Sequence, residues 1–97
     1  MIETEMNVIT FRSTHHAIKT EKALKKREFK IKVIPTPREI TASCGLSIRF
    51  EDEEKDDIFS VLKEMISEGQ IILRGVFNII RTKEKVEVNE LDINSKE

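Results

Sequence analysis

The sequence has few of the residues that give small proteins covalent or metal-based stability. Among its 97 residues are one cysteine, two histidines, two prolines, and no tryptophan or tyrosine. One cysteine excludes an internal disulfide, and too few cysteines and histidines remain for the four ligands of a typical structural zinc site within one chain. The lone thiol therefore serves either packing or chemistry.

The sequence also lacks a long apolar run and an excess of either charge. No run approaches the ~20 residues that a membrane span needs, and the opening MIETEMNV is acidic where a signal peptide would be basic and then apolar. With 17 basic and 18 acidic side chains, the composition argues against a general nucleic-acid binder. We expect a cytoplasmic protein with no cofactor or metal and no membrane or nucleic-acid partner.

The length predicts one domain over residues 1–97, with a folded core of about residues 7–80. Apolar alternation, helical spacing and turn residues predict the following elements: strands at 6–11, 30–35, 46–51 and 71–80, helices at 15–28 and around 58–66, a possible short strand at 86–91, and a disordered tail at 92–97. Ser13 or Thr14 is expected to cap the first helix, and Gly69 to end the second.

The order of the predicted elements is strand, helix, strand, strand, helix, strand. This order is typical of the α+β class and of a ferredoxin-like two-layer sandwich. We therefore expect a four-stranded, mainly antiparallel sheet with both helices on one face. Many unrelated functions use this arrangement, so the fold alone does not identify the activity.

The cysteine lies in the stretch VIPTPREITASCGLSIRF, residues 33–50. As packing, Cys44 would be a small buried apolar residue. As chemistry, it lies at the end of a polar loop just before a strand, and Gly45 removes a side chain beside the sulfur. Arg38 could favour the thiolate, which is the nucleophilic form, and His15 is the candidate for proton movement. The candidate catalytic residues are therefore Cys44, Arg38, Gly45 and His15.

Three features of the first predicted helix raise further hypotheses. His15 and His16 are adjacent and point about 100° apart, so they cannot both bind one metal ion. Glu21 falls on the core side of the helix and, if buried, would need a cation such as Arg12 or Arg38. The basic run Lys19, Lys22, Lys25, Lys26 and Arg27 is interpreted as a solvated face, with docking to an acidic partner as the alternative.

Three segments together resemble a small bacterial domain family described as selenium/sulfur carrier protein-like. They are FRSTHHAIKTEKALKK, VIPTPREITASCGLSIRF and GVFNII, and the resemblance covers about residues 7–80. Its most specific part runs from Pro37, Arg38 and Glu39 to Cys44 and Gly45. The persulfide-relay type of sulfur carrier instead has a proline two residues after its cysteine, at a helix start. Its mechanism cannot be transferred to Cys44, which precedes a predicted strand.

The resemblance implies that Cys44 accepts sulfur or selenium as a persulfide or perselenide. The donor would be a protein such as a cysteine desulfurase, and the recipient an acceptor thiol or enzyme. The protein would then be a carrier more than an enzyme. Two alternatives stay open. One is a ligand-sensing or protein-interaction module in which Cys44 is structural and two copies could form a homodimer, and the other is a thiol redox sensor.

Overall fold

The structure, a computed structural model, describes residues 2–40 and 45–93. Its elements in chain order are β1 (Ile2–Phe11), α1 (Thr14–Lys26), β2 (Ile31–Pro35), β3 (Leu46–Phe50), a 3-10 turn (Asp52–Glu54), α2 (Lys55–Ser67), β4 (Leu73–Thr82) and β5 (Val86–Leu91). Each predicted strand and helix has a counterpart, and the boundaries differ most at the start of β1 and the start of α2. No helix in these residues is long and apolar enough to cross a membrane.

Local residue choice explains where the helices begin and end. The Ser13 hydroxyl accepts a hydrogen bond from the His16 backbone N–H at 3.3 Å, so Ser13 caps α1 as predicted. α1 ends at Lys26, and two residues later Glu28 adopts a left-handed backbone conformation with a φ of 67°. After α2, Gly69 has a φ of 74°, a left-handed conformation that glycine adopts without steric cost. Gly69 therefore ends α2 as predicted.

The sheet has five antiparallel strands in the order β2-β3-β1-β4-β5. The α+β class, the antiparallel sheet and the two helices are confirmed. The four-stranded ferredoxin-like arrangement is not matched, because β5 adds a fifth strand along β4, with register from Val76 opposite Leu91 to Arg81 opposite Val86. The reversal is made by a polar turn in which the Thr82 N–H donates to the Lys85 carbonyl oxygen at 2.9 Å.

The main core lies between one face of the sheet and the two helices. Alternate residues of the strands face it, and Phe50 meets Phe59 of α2 edge-to-face at 6.1 Å between ring centroids. The buried apolar residues that form this core are Ile9, Phe11, Ala17, Leu24, Ile48, Phe50, Ile58, Phe59, Val61, Leu62, Met65, Ile71 and Val76. Both helices therefore contribute to the same core.

A second, smaller cluster lies on the helix-free face of the sheet. It consists of Val8 from β1, Ile79 from β4 and Ile40 from the loop after β2, with Met6, Ile34 and Phe77 partly buried around it. Because Val8 is buried here and Ile9 faces the helices, β1 is buried on both faces. This two-sided burial explains why β1 reads as a continuous apolar and β-branched run.

One residue of the apolar pattern predicted for the second helix does not belong to the core. Ile58, Val61, Leu62 and Met65 are buried, but Ile66 is 37% exposed. Ile66 is in the last turn of α2, where it lines an open groove with Ile71 and Leu91. The prediction for Ile66 was wrong because spacing along a helix does not show where the opposing sheet stops covering it.

The tail predicted to be disordered is only partly within the described residues. Ile93 is partly buried and packs against the main core. Residues 94–97 lie outside the described part of the chain.

Replacing Leu62 by alanine should lower the free energy of unfolding by about 2–4 kcal/mol, because its side chain is fully buried and would leave a cavity. Ile66→Ala on the same helix is the matched control and should cost less than about 1 kcal/mol, because Ile66 is partly exposed. Urea unfolding measures both values. A loss below about 0.5 kcal/mol for Leu62→Ala would contradict the assigned core.

Candidate functional site

The loop between β2 and β3 is closed at its base by two hydrogen bonds. The Thr36 N–H donates to the Gly45 carbonyl oxygen at 2.9 Å, and the hydroxyls of Thr36 and Ser47 are 2.8 Å apart. Ser47 is fully buried in β3. Gly45 is therefore held against the end of β2.

Beyond this base, the first half of the loop crosses the helix-free face of the sheet. The Ile40 N–H donates to the Pro37 carbonyl oxygen at 3.1 Å, which forms a turn. Ile40 is only 7% exposed and packs in the cluster with Val8 and Ile79. Burying one such side chain stabilises a protein by roughly 1.5–3 kcal/mol, so Ile40 anchors the loop by apolar contact.

An ion pair adds orientation to this anchor. The Arg81 guanidinium on β4 donates to Glu39 Oε1 at 2.9 Å, and both side chains are partly exposed. This hydrogen bond is the main reason that the pKa of the Glu39 carboxyl is lowered from its ordinary value, with smaller contributions in the same direction from a backbone hydrogen bond and from the charges of Arg81 and Arg38. Glu39 therefore stays ionised next to Arg81 at neutral pH.

The predicted site residues of the loop fall partly within this description. Cys44 lies outside the described residues. Gly45 is exposed, and a Cβ built on it would meet no described atom within 4 Å, whereas one on Gly75 would lie 2.9 Å from the Phe77 ring. Arg38 is exposed on the loop, where its charge acts weakly on Glu39. The space beside Gly45 is thus open with respect to the described residues.

The two adjacent histidines have different surroundings. His16 Nδ1 accepts a hydrogen bond from the Ile72 backbone N–H at 3.2 Å, which ties the start of α1 to the segment before β4. His15 is exposed. Thr10 pairs with Ser47, so α1 begins at the same end of the sheet as Gly45. His15 therefore shares an end of the sheet with Gly45, although α1 and the β2–β3 loop lie on opposite faces of the sheet, and His16 has a structural contact.

Glu21 has a different partner from those considered in the sequence. It forms an ion pair with Lys25, one helical turn along α1, at 2.9 Å, and its side chain is 26% exposed. Arg12 and Arg38 were the candidate partners only if Glu21 was buried, and this condition is not met. Glu21 stays half-exposed, so a neighbour on its own helix suffices.

Several residues that shape the site were not singled out in the sequence. Ile40 and Ser47 are buried, and Arg81 belongs to a strand that is 42 residues away from Glu39 along the chain. An isolated isoleucine in the polar stretch REITAS was the available signal for Ile40. Within residues 2–40 and 45–93, no group of three histidine, cysteine, aspartate or glutamate side chains is arranged to hold a metal ion.

A comparison with family models gives a match over residues 6–77, to the family described as putative Se/S carrier protein-like. The chain belongs to this family. The match includes β1 from Met6 onwards, α1, the whole loop from β2 to β3, α2 and the first half of β4. The loop residues Glu39 and Ile40 are therefore within the matched region, whereas their partners Arg81 and Ile79 and the whole of β5 lie beyond it. Neither the curated proteins nor the solved structures give a significant match to the chain.

Replacing Arg81 by glutamine should raise the pKa of Glu39 towards its ordinary value, because a shorter, neutral amide replaces the charged donor of the main hydrogen bond. Arg38→Gln is the matched control and should raise it less, because Arg38 acts only through its charge. Carboxyl chemical shifts measured by NMR against pH give both values. Equal effects of the two substitutions would contradict the ion pair.

The lowered pKa also fixes how this anchor depends on pH. Because the Glu39 pKa is lower in the folded than in the unfolded protein, the stability that the pair contributes is fully present above the unfolded pKa. That contribution should be lost as the pH falls through the folded pKa. The same titration, followed by the chemical shifts of Ile40, would show the loop loosening in this window.

Proposed function

We propose that this protein is a sulfur or selenium carrier in which Cys44 holds the chalcogen. The membership in the Se/S carrier protein-like family supports the class of function. The structural observation that supports it most is the position of Gly45, the neighbour of Cys44, at the closed base of an anchored loop with open space beside it. A donor protein needs such space to bring a persulfide to a thiol.

The proposed transfer needs no external oxidant or reductant. The Cys44 thiolate attacks the outer sulfur of a donor persulfide, R–S–SH. A new S–S bond forms between Cys44 and the outer sulfur, and the S–S bond of the donor breaks. The inner sulfur of the donor leaves with the electron pair as the thiolate R–S⁻. In the second step an acceptor nucleophile attacks the outer sulfur, and the Cys44 thiolate is released. Selenium would follow the same course as a perselenide.

The other candidate residues have supporting roles in this scheme. Arg38 is exposed on the same loop and would stabilise the anionic outer chalcogen. Gly45 would give access, because a side chain at this position would narrow the space that a donor must enter. His15 would assist proton movement from the start of α1. The protein would act as a transfer partner for a cysteine desulfurase and an acceptor enzyme, and would not convert a small substrate of its own.

Incubation with glutathione persulfide labelled with ³⁵S at its outer sulfur should transfer label to the wild-type protein. It should not label Cys44→Ser, because this variant lacks the attacking thiolate. A small donor is chosen because it does not require protein docking. Arg38→Ala should slow labelling by about two- to threefold, since an exposed cation acts weakly through water. Arg74→Ala, which removes an exposed arginine of β4, is the matched control and should label at the wild-type rate.

Label on Cys44→Ser equal to that on the wild type would refute the carrier function. Equal slowing by Arg38→Ala and Arg74→Ala would leave Arg38 without the proposed role.

A second candidate function is favoured by a groove on the β4–β5 side of the sheet, away from the β2–β3 loop. It has a volume of about 770 Å³, lies between the end of α2 and β5, and is lined mainly by apolar side chains such as Ile66, Ile72 and Leu91. This volume is within the range of small-molecule sites. The protein would then be a ligand-sensing module in which Cys44 is structural, and Cys44→Ala would retain function in cells.

A further inference from the structure

The solvent-facing side of α1 carries a concentrated positive charge. Lys19, Lys22, Lys25 and Lys26 are all exposed. At about 100° per residue they fall within roughly one third of the helix circumference, opposite the buried Ala17, Thr20 and Leu24. We call these four residues the cationic face of α1.

Few of these charges are neutralised by the rest of the protein. Lys25 pairs with Glu21 at 2.9 Å, and the Lys19 ammonium donates to the Gln70 carbonyl oxygen at 3.3 Å. Lys22 and Lys26 form no ion pair with any residue in the described part of the chain. Two full positive charges therefore face solvent on adjacent turns.

Helix stability does not explain this arrangement. Cations in the last turn of a helix interact favourably with its dipole, which accounts for Lys25 and Lys26. Lys19 and Lys22 lie in the middle of α1, where the dipole gives no such benefit, and Lys22 is one turn before Lys26, which is a repulsive spacing.

An apolar side chain is exposed within the same face. Ile18 is 42% exposed and lies between Lys25 and Lys22 on the helical circumference. An exposed large apolar residue surrounded by charges is the composition of a protein–protein contact, in which an apolar centre is surrounded by a polar rim.

We propose that the cationic face of α1, together with Ile18 near its Lys25 edge, is a docking surface for an acidic patch of another protein. The charge distribution favours this partner over a nucleic acid. The whole chain has a net charge of −1, and six acidic residues lie between positions 51 and 57, so the protein as a whole does not attract a long polyanion. A protein partner can match the cationic face alone and bury Ile18.

The location of this surface connects it to the loop. α1 begins at the end of the sheet where Gly45 lies, whereas the β2–β3 loop crosses the helix-free face. A partner bound to α1 would therefore have to extend around this end of the sheet to approach Gly45. That this partner is the chalcogen donor rests on the proposed function, whereas the docking itself does not depend on Cys44.

The probe is a fluorescent synthetic helical peptide of about 20 residues with glutamates and one leucine on a single face, titrated with the full chain and followed by anisotropy. Lys22→Glu/Lys26→Glu should weaken binding by about tenfold or more, because two attractive contacts become repulsive. Lys83→Glu/Lys85→Glu in the turn before β5 changes the net charge equally and should weaken peptide binding less than about twofold.

Ile18→Ser should weaken peptide binding by about threefold at both low and high salt, because its effect comes from the loss of apolar contact.

Binding should also fall as salt is raised from about 50 to 300 mM, because screening shortens the range of the charges. Cys44→Ser should bind as the wild type does, which separates this inference from the carrier function. The inference is overturned if the wild type does not bind the peptide, if both double variants weaken binding equally, or if a dT20 oligonucleotide or phosphatidylglycerol vesicles bind more tightly than the peptide. Circular dichroism shows that each variant is folded.

Discussion

The two-sided burial of β1 is the constraint on which the rest of the structure depends. Val8, Ile9, Thr10 and Phe11 are consecutive and all fully buried. In a strand, consecutive side chains point to opposite faces, so both faces of the sheet must be covered at β1. The two helices cover one face. On the other face, Ile40 of the β2–β3 loop covers Val8 and Ile79, and Arg81 fixes the adjacent Glu39.

This requirement gives the loop a structural reason to be in a defined place. Its course is set at Ile40 by burial and at the Thr36–Gly45 pair by a backbone hydrogen bond. Residues 41–44 join these two fixed points. A loop held at both ends is a suitable carrier for a reactive group, because the rigid sheet sets the position of Gly45 while the space beside Gly45 is open with respect to the described residues. The proposed chemistry therefore uses a segment that the fold already requires.

Local chemistry made much of the fold predictable. The cap at Ser13, the end of α2 at Gly69 and the spacing of Ile58, Val61, Leu62 and Met65 depend on near neighbours in sequence, and the structure confirms them. The exposure of Ile66 was missed because it depends on where the sheet ends. A short strand at 86–91 was predicted, but its place in the sheet was not, although the turn that pairs it with β4 is local. Arg38, Gly45 and His15 were predicted as site residues from residue type, and their roles stay predictions. The Glu39–Arg81 pair was missed, because 42 residues separate its members along the chain.

The central claim is that Cys44 carries a chalcogen in the cell, and the mass of the intact native protein tests it most directly. The protein would be isolated without reductant and compared with Cys44→Ser prepared in the same way. Because the chain has one cysteine, the account predicts an added mass of one sulfur or one selenium atom on the wild type, removed by dithiothreitol and absent from the serine variant. Added oxygen or glutathione on Cys44 would instead indicate a redox sensor, and an unmodified thiol in cells that are actively making persulfides would contradict the carrier function.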